Sequence, residues 1–201
     1  MTSDRIARLH IQLDDVEPAI WRRVEVPLTS TLKAVHDVIQ AAMLFEDYHL
    51  FQFEIGHRRY GYPDPDWGDE MRDARYIRLS AILARGETRF TYTYDFGDDW
   101  RHTVVVEEVV AADPMVDYPR FVDGGRRAPP EDVGGLPGFE DFLDAMAAPK
   151  HPEHDSVMTW YGRLFEPGDM GLSAINERLT KLARRRAQGK AAFEKSRNRI
   201  N

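Results

Sequence analysis

The sequence predicts an α+β fold with a mixed or antiparallel sheet of about five to six strands packed by helices, and a helical C-terminal half. Apolar and polar residues alternate with a period of two mainly in the first half of the chain, whereas apolar residues at helical spacing dominate the second half. Because strands and helices are segregated, a doubly wound parallel sheet is not expected. We expect residues 1–171 to form one α+β domain. Residues 172–201 are predicted to form a helix running into a basic tail, for which order and disorder both stay open.

The strands are predicted from alternation. Residues 5–13 alternate strictly, which indicates a strand with one buried face. Pro18 interrupts the chain, and residues 20–26 form a second strand. Residues 49–55 form a third, and residues 56–60 are typical of a turn into a short partner strand.

The helices are predicted from apolar spacing and capping residues. Thr31 is a suitable N-cap for a helix over residues 32–44. Residues 138–147 carry apolar side chains at i, i+3, i+4 and i+7, and residues 153–161 form another helix. A last helix begins near residue 172. The Pro- and Gly-rich stretch over 113–138 is expected to be irregular coil.

The segment between residues 94 and 102 is the most informative part of the chain. It joins two strand-like runs, 88–94 and 104–106, through a glycine-containing turn rich in carboxylates. Asp95, Asp98 and Asp99 have the oxygen ligands that Mg²⁺ or Ca²⁺ prefers, and His102 is a base or a further ligand. The alternative is ordinary turn chemistry, with Trp100 closing the core edge. The turn interpretation is favoured.

A second acidic loop spans residues 129–135, where Glu131 and Asp132 lie between prolines and glycines. These carboxylates either complete a metal site with the hairpin tip or bind a cationic partner. Alternatively, they cap the following helix or pair with Arg22 or Arg23. Both interpretations stay open.

Trp21, Arg22 and Arg23 combine a stacking ring with two guanidinium groups, which suits phosphate binding. Because neighbouring strand residues point to opposite faces, at most one of the two arginines can share a site with the hairpin. An ion pair with the acidic loops is favoured.

Two further histidines are candidates. His36 lies on or beside the apolar stripe of the first helix and is predicted to be a core histidine. His49 opens a strand. A metal site made of His36, His49 and His102 is an alternative, but their scattered spacing is not typical of one.

Charge is distributed unevenly along the chain. The net charge is −7, while residues 173–201 carry nine Lys or Arg against two Glu, which leaves −14 on the rest. Arg184, Arg185, Arg186 and Lys190 are therefore candidates for nucleic-acid contact, with a solvated terminus as the favoured alternative. No apolar run approaches the roughly 20 residues of a membrane span, and the chain has no cysteine. We expect a cytoplasmic protein without membrane contact.

Five ordered segments carry a family resemblance. They are residues 20–23, 32–43 with His36, 49–53, the acidic hairpin, and 129–135. Together they resemble the plasmid pRiA4b ORF-3-like family, also labelled as insertion-element passenger proteins, from about Ile6 to Leu179. The resemblance implies an α+β fold and an association with bacterial plasmids or mobile elements. Many members carry cysteines where this chain has Val122, Ala128 and Val133, so a thiolate site of those relatives is not expected here.

The leading hypothesis is a non-catalytic binding or accessory protein of a plasmid or mobile element, with no cofactor and an unknown protein or polar ligand as partner. Its acidic pocket draws on Trp21, Arg22, His36, His49, Asp95, Asp98, Asp99, Trp100, His102, Glu131 and Asp132. The first alternative is a hydrolase or nuclease dependent on Mg²⁺ or another divalent metal. Its metal ligands would be Asp95, Asp98, His102 and Glu131. The second alternative is a DNA-associated accessory factor acting through the basic tail.

Overall fold

A computed structural model describes residues 4–63 and 71–200, which form one eight-stranded sheet and five helices. The mixed α and β class agrees with the prediction, but the strand number is higher than the predicted five to six. The strands are β1 Arg5–Leu13, β2 Trp21–Pro27, β3 Phe51–Ile55, β4 Arg58–Gly61, β5 Arg72–Asp73, β6 Arg89–Tyr94, β7 Trp100–Ala111 and β8 Arg120–Gly125. The helices are α1 Leu32–Met43, α2 Leu79–Leu83, α3 Gly135–Ala147, α4 His154–Tyr161 and α5 Leu172–Ile200.

Two of the strands were not predicted. The strand β5 has only two residues, too few for any alternation to be visible. The strand β8 lies in the segment that was expected to be irregular coil, and it ends in two glycines. It pairs with β2 at the sheet edge, where its own side chains stay largely exposed. Because β8 has no buried face, its sequence does not show the alternation of apolar and polar residues that predicts a strand.

The strand order is β5-β4-β3-β6-β7-β1-β2-β8. Every pairing is antiparallel except that of β4 with β5. The antiparallel hairpin of β6 and β7 therefore sits in the middle of the sheet, and its turn emerges at one end. The first residues of β3 lie at that same end because Phe51 pairs with Tyr94.

One face of the sheet carries the core, over which α1 packs. Thr31 caps this helix, since its hydroxyl accepts a 3.2 Å hydrogen bond from the amide of Ala34. The helix ends at Leu44, which has a left-handed φ of 65°. This turn sends the chain toward β3 and places the connecting residues 45–50 beside the turn between β6 and β7.

The helix α5 packs against α1 and β8. Arg178 donates to the carbonyl oxygen of Phe45 at 2.5 Å, just beyond the end of α1, while Arg186 contacts Thr29 before its start. The two helices are therefore antiparallel. Among the described residues, no helix combines the length and apolarity that crossing a bilayer requires.

Candidate functional site

Three loops meet at the end of the sheet where the turn between β6 and β7 emerges. The segment before β3 contributes His49, the turn contributes Asp95, and the loop before α3 contributes Glu131 and Asp132. These four residues are called the His49 cluster below. Their side chains come together although they belong to three separate segments of the chain.

The imidazole of His49 is the centre of this cluster. Its Nε2 atom lies 2.8 Å from Oδ1 of Asp132, 3.5 Å from Oδ2 of Asp95 and 4.0 Å from Oε2 of Glu131. One ligand atom each from His49, Asp95 and Asp132 lie within 4.8 Å of one another. Such a set can hold a cation of either kind, a metal ion or an organic ammonium group.

Asp95 is held in place by its own turn. It has a left-handed φ of 55°, and its Oδ1 atom accepts a 2.9 Å hydrogen bond from the amide of Gly97. Aspartate tolerates this backbone conformation because its short side chain can bond to nearby amides. The residue is only 7% exposed. Oδ1 is thus used by the turn, while Oδ2 faces His49.

Glu131 is held by the neighbouring loop and by the sheet. Its Oε1 atom accepts hydrogen bonds from the amide of Glu46 at 2.5 Å and from the hydroxyl of Tyr94 at 3.0 Å. Its Oε2 atom is buried and has no hydrogen-bond partner among the described residues. A buried carboxylate oxygen without a donor is costly, so this atom is available to a ligand.

The pKa values of His49, Glu131 and the adjacent Tyr94 are shifted because these residues lie close together and are buried or partly buried. Burial by itself lowers the pKa of His49, but the hydrogen bond to Asp132 and the charges of Asp95 and Glu131 outweigh it and raise the pKa above its usual value. Burial raises the pKa of Glu131, although the donors on Oε1 oppose this. Burial also raises the pKa of Tyr94, and the adjacent Glu131 adds to it. Tyr94 therefore stays a neutral donor.

The other carboxylates of the hairpin have structural contacts. Oδ2 of Asp98 accepts a 3.2 Å hydrogen bond from the amide of Gly134, which ties the turn to the loop before α3. Asp99 lies 3.6 Å from Arg101 and is largely exposed. Trp100 is 1% exposed and packs edge-on against Phe139, as expected for a side chain closing the core edge. Asp98 and Asp99 do not contact His49.

His102 and His36 point into the core, away from the His49 cluster. His102 is fully buried, its Nδ1 donates to the carbonyl oxygen of Trp100 at 3.0 Å, and burial lowers its pKa to about 4. The register explains this, since His102 pairs with Leu13 of β1 on the core face. The prediction that His102 is a ligand alongside Asp95 and Glu131 is therefore wrong. His36 is also buried and bonds to Tyr92 and Asp47 at 2.8 Å each, as expected for a core histidine.

The arginines of β2 point to opposite faces, as predicted. Arg22 is completely buried and donates to the carbonyl oxygens of Ala42, Trp21 and Gly125. It has no ion pair among the residues that the structure describes, so the expected pairing with an acidic loop is not formed. Arg23 pairs with Glu107 of β7 on the outer face, where its guanidinium lies over the Trp21 ring. Trp21 and Arg22 therefore lie outside the His49 cluster.

The predicted nucleic-acid residues lie on α5, which is helical through residue 200. Arg185 pairs with Asp37 at 3.1 Å, Lys190 pairs with Asp4 at 2.7 Å, and Arg186 donates to Thr29 at 3.3 Å. Arg184 is exposed. Three of these four side chains are thus engaged with the body of the protein, which weakens the case for a DNA contact made by the tail alone.

One residue of the site was missed from the sequence. Tyr94 is the last residue of the strand-like run 88–94, yet its hydroxyl donates to Glu131 and accepts from the amides of Tyr48 and His49 at 2.9 and 3.4 Å. Its position at the end of a strand could have indicated this role. A Tyr rather than a Phe at a strand end needs a partner for its hydroxyl when it is buried.

Fold and site together define a class: a single-sheet α+β protein with an acidic, histidine-centred cluster of side chains at one end of the sheet. The chain belongs to the family described as plasmid pRiA4b ORF-3-like protein, which it matches over residues 5–174. The family predicted from the five ordered segments is thereby confirmed.

Two individual proteins illustrate this similarity. The chain is 38% identical over 180 residues to the uncharacterized protein y4hQ of Sinorhizobium fredii (strain NBRC 101917 / NGR234), covering 89% of this chain and 92% of that protein. It also resembles the crystal structure of MM3350, a protein of unknown function from Methanosarcina mazei Go1. The TM-score is 0.79 at 32% identity, covering 86% of this chain and 97% of the other.

Proposed function

We propose that this protein is a non-catalytic binding module whose His49 cluster takes a cationic group of a partner protein or polar ligand. The observation that carries the proposal is that three carboxylates, those of Asp95, Glu131 and Asp132, face one imidazole. A single imidazolium cannot neutralise three carboxylates, so the His49 cluster keeps a net negative charge. An ammonium or guanidinium group would complete the charge balance.

The raised pKa of His49 supports an organic cation over a metal ion. Near neutral pH a larger share of this imidazole is protonated than of a free histidine, and its Nε2 proton is directed at Asp132. A metal ion would have to displace that proton. A guanidinium group can instead bind to the free oxygens of Asp95 and Glu131 without deprotonating His49.

A binding role also fits the arrangement of the side chains. The polar groups that contact the His49 imidazole are carboxylates, which suit charge recognition, whereas a Ser–His or Cys–His nucleophile pair requires a serine hydroxyl or cysteine thiol beside the imidazole. The sequence has no cysteine, no phosphate-binding glycine loop and no nucleophile-elbow motif. We extend the proposal to an accessory role in the cytoplasm of cells that carry plasmids or mobile elements. The family description supports only the association with a plasmid.

Calorimetry of the full chain with agmatine, which carries both a guanidinium and an ammonium group, tests the proposal. We expect saturable binding that weakens about tenfold or more in Asp95→Asn, because a charge-assisted hydrogen bond is lost. The matched control is Glu140→Gln, which removes one negative charge from an exposed position on α3. No saturable heat with the wild type, or equal weakening in both variants, would overturn the proposal.

A second candidate, a metal-dependent hydrolase or nuclease, is favoured by one specific observation. The donor atoms of His49, Asp95 and Asp132 lie within 4.8 Å of one another, close enough to share one ion. A divalent metal held there would act as a Lewis acid and activate a water molecule. Its ligands would differ from the predicted set, with His49 in place of His102 and Asp132 in place of Asp98.

The variant His49→Gln separates the two candidates. Metal binding needs the lone pair of the imidazole, so Mn²⁺ or Zn²⁺ affinity should be lost in this variant. Agmatine binding should instead persist or tighten, because a competing positive charge is removed. Saturable Mn²⁺ or Zn²⁺ binding in the wild type, lost together with agmatine binding in His49→Gln, would favour the metal site over the binding module.

A further inference from the structure

A cleft lined mainly by arginines lies at the other end of the sheet. The turn between β3 and β4, the strand β5 and the loop after α2 enclose about 620 Å³. The charged or polar side chains that line it are those of His57, Arg58, Arg59, Arg72, Arg85 and Glu87. We call it the arginine cleft. The strand β3 runs from Phe51, near the His49 cluster, to Ile55 in the cleft wall, so the two sites are separate.

The arginine cleft is positively charged, whereas the protein as a whole carries a net negative charge. Among the described residues that line the cleft, the guanidinium groups of Arg58, Arg72 and Arg85 outnumber the one carboxylate, that of Glu87, in a chain whose net charge is −7. Arginines that merely cover a surface would be expected to find acidic partners in such a chain. Arg58, Arg72 and Arg85 form no ion pair with the residues that the structure describes. Arg59 lines the same cleft and has a contact of its own.

The sheet register directs two of these arginines to one place. Arg58 precedes Tyr60 by two residues on β4, and Arg72 pairs with Tyr60 across the parallel ladder. Residues two apart on a strand, and residues paired across a ladder, point to the same face. Arg58, Arg72 and Tyr60 therefore share a face at the sheet edge.

The third arginine is fixed by a hydrogen bond. Arg85 donates from Nη2 to the hydroxyl of Tyr60 at 2.9 Å, and Tyr60 is fully buried. This contact orients the guanidinium without neutralising its charge. The remaining donors stay available in the cleft, and a positioned guanidinium loses less side-chain entropy on binding than a free one.

We propose that the arginine cleft binds a phosphate group. Planar guanidinium groups form paired hydrogen bonds with phosphate oxygens, and several of them around one cavity suit the charge of a phosphate better than that of a single carboxylate. The volume accommodates the phosphates of a nucleotide or a segment of nucleic-acid backbone. Both sources present the same chemistry, and the test below distinguishes them.

Calorimetry of the full chain with sodium pyrophosphate at low ionic strength is the primary test. We expect saturable binding that weakens about tenfold or more in the double variant Arg58→Gln, Arg72→Gln, and that falls with added salt. The control Arg163→Gln removes the same kind of charge from an exposed position after α4. Far-UV circular dichroism and thermal unfolding of each variant verify that the fold is kept.

A second variant changes binding in the opposite direction. Glu87→Gln removes the only carboxylate among the described residues that line the cleft, so pyrophosphate should bind several-fold more tightly. Absence of saturable pyrophosphate binding, equal weakening in Arg163→Gln, or no gain in Glu87→Gln would overturn the proposal. Because agmatine binding is measured at the opposite end of the sheet, its failure leaves this outcome unaffected.

Competition identifies the source of the phosphate. If a 12-base-pair DNA duplex displaces pyrophosphate from the wild type, and its own binding weakens in the double variant, the cleft takes nucleic-acid backbone. If ATP displaces pyrophosphate and the duplex does not, the cleft takes a small phosphorylated ligand. Either result supports a phosphate site at Arg58, Arg72 and Arg85.

Discussion

The hydroxyl of Tyr94 donates a 3.0 Å hydrogen bond to Oε1 of Glu131 and thereby connects the sheet to the acidic loop before α3. The hydroxyl oxygen of Tyr94 also accepts hydrogen bonds from the amides of Tyr48 and His49. Tyr94 therefore positions both the segment that carries His49 and the loop that carries Glu131.

Tyr94→Phe should loosen the cluster without changing its charge. The lost hydroxyl leaves the part-buried amides of Tyr48 and His49 and the Oε1 atom of Glu131 with fewer partners, which costs about 1–3 kcal/mol of unfolding free energy. Agmatine affinity should fall as well. Urea unfolding and calorimetry measure the two effects. Tyr76→Phe, at a hydroxyl that is exposed, is the control, and equal behaviour of both variants would contradict this role.

Gly135→Ala should destabilise the protein more than Gly162→Ala. Both glycines have left-handed φ values, 68° and 77°, so both variants incur about 1–2 kcal/mol of backbone strain. An added Cβ at Gly135 would also lie 2.8 Å from the backbone oxygen of Asp98, whereas Gly162 has open space.

The difference in unfolding free energy between the two glycine variants measures the contribution of the close contact between Gly135, at the start of α3, and Asp98, in the turn between β6 and β7. We expect Gly135→Ala to lose roughly 1–3 kcal/mol beyond Gly162→Ala in urea unfolding. Its agmatine binding should weaken too, because the loop that carries Glu131 must move. Similar losses in both variants would show that this close contact is unimportant.

Replacing the buried Arg22 by Met involves two opposing effects. Burial lowers the pKa of Arg22 to about 10, a cost to the charged form of roughly 3 kcal/mol that the variant recovers. The variant leaves three backbone carbonyl oxygens without their donor, at about 1–3 kcal/mol each. Net destabilisation is therefore expected in Arg22→Met, measured by urea unfolding. An equally stable Arg22→Met protein would show that water replaces the guanidinium.

The buried His102 should make the protein less stable in mild acid. Its pKa is about 4 in the folded protein and near 6.5 when unfolded, so between these values the unfolded chain binds the extra proton. Stability therefore falls as the pH decreases from about 6.5 to about 4, by roughly 3 kcal/mol in total, and this contribution does not change further below. Other groups titrate in the same range, including His36, whose pKa burial also lowers.

Comparison with His102→Gln separates this contribution from the others. The unfolding free energies of the two proteins, measured in urea from pH 7.5 to pH 4, should converge as the pH falls. Only the wild type loses the stability that the lowered pKa of His102 contributes at neutral pH. Parallel pH profiles would mean that His102 does not titrate in this range.

Much of the fold was predictable from local patterns. The alternation in β1 and the Thr31 cap of α1 appear where the sequence indicated them. The inward direction of His102 was predictable as well, because it stands two residues before the core residue Val104 on the same strand. The strands β5 and β8 were not predictable, since one has two residues and the other has no buried face.

The sequence by itself determined the fold class, the family, and the presence of two acidic loops and a histidine near a strand start. Only the tertiary structure decided which of these groups meet. Side-chain direction repeats every two residues along a strand and can be read locally. The approach of His49 to Asp95 and Asp132 depends on strand order and on the turn after α1, both of which arise from contacts distant in the chain.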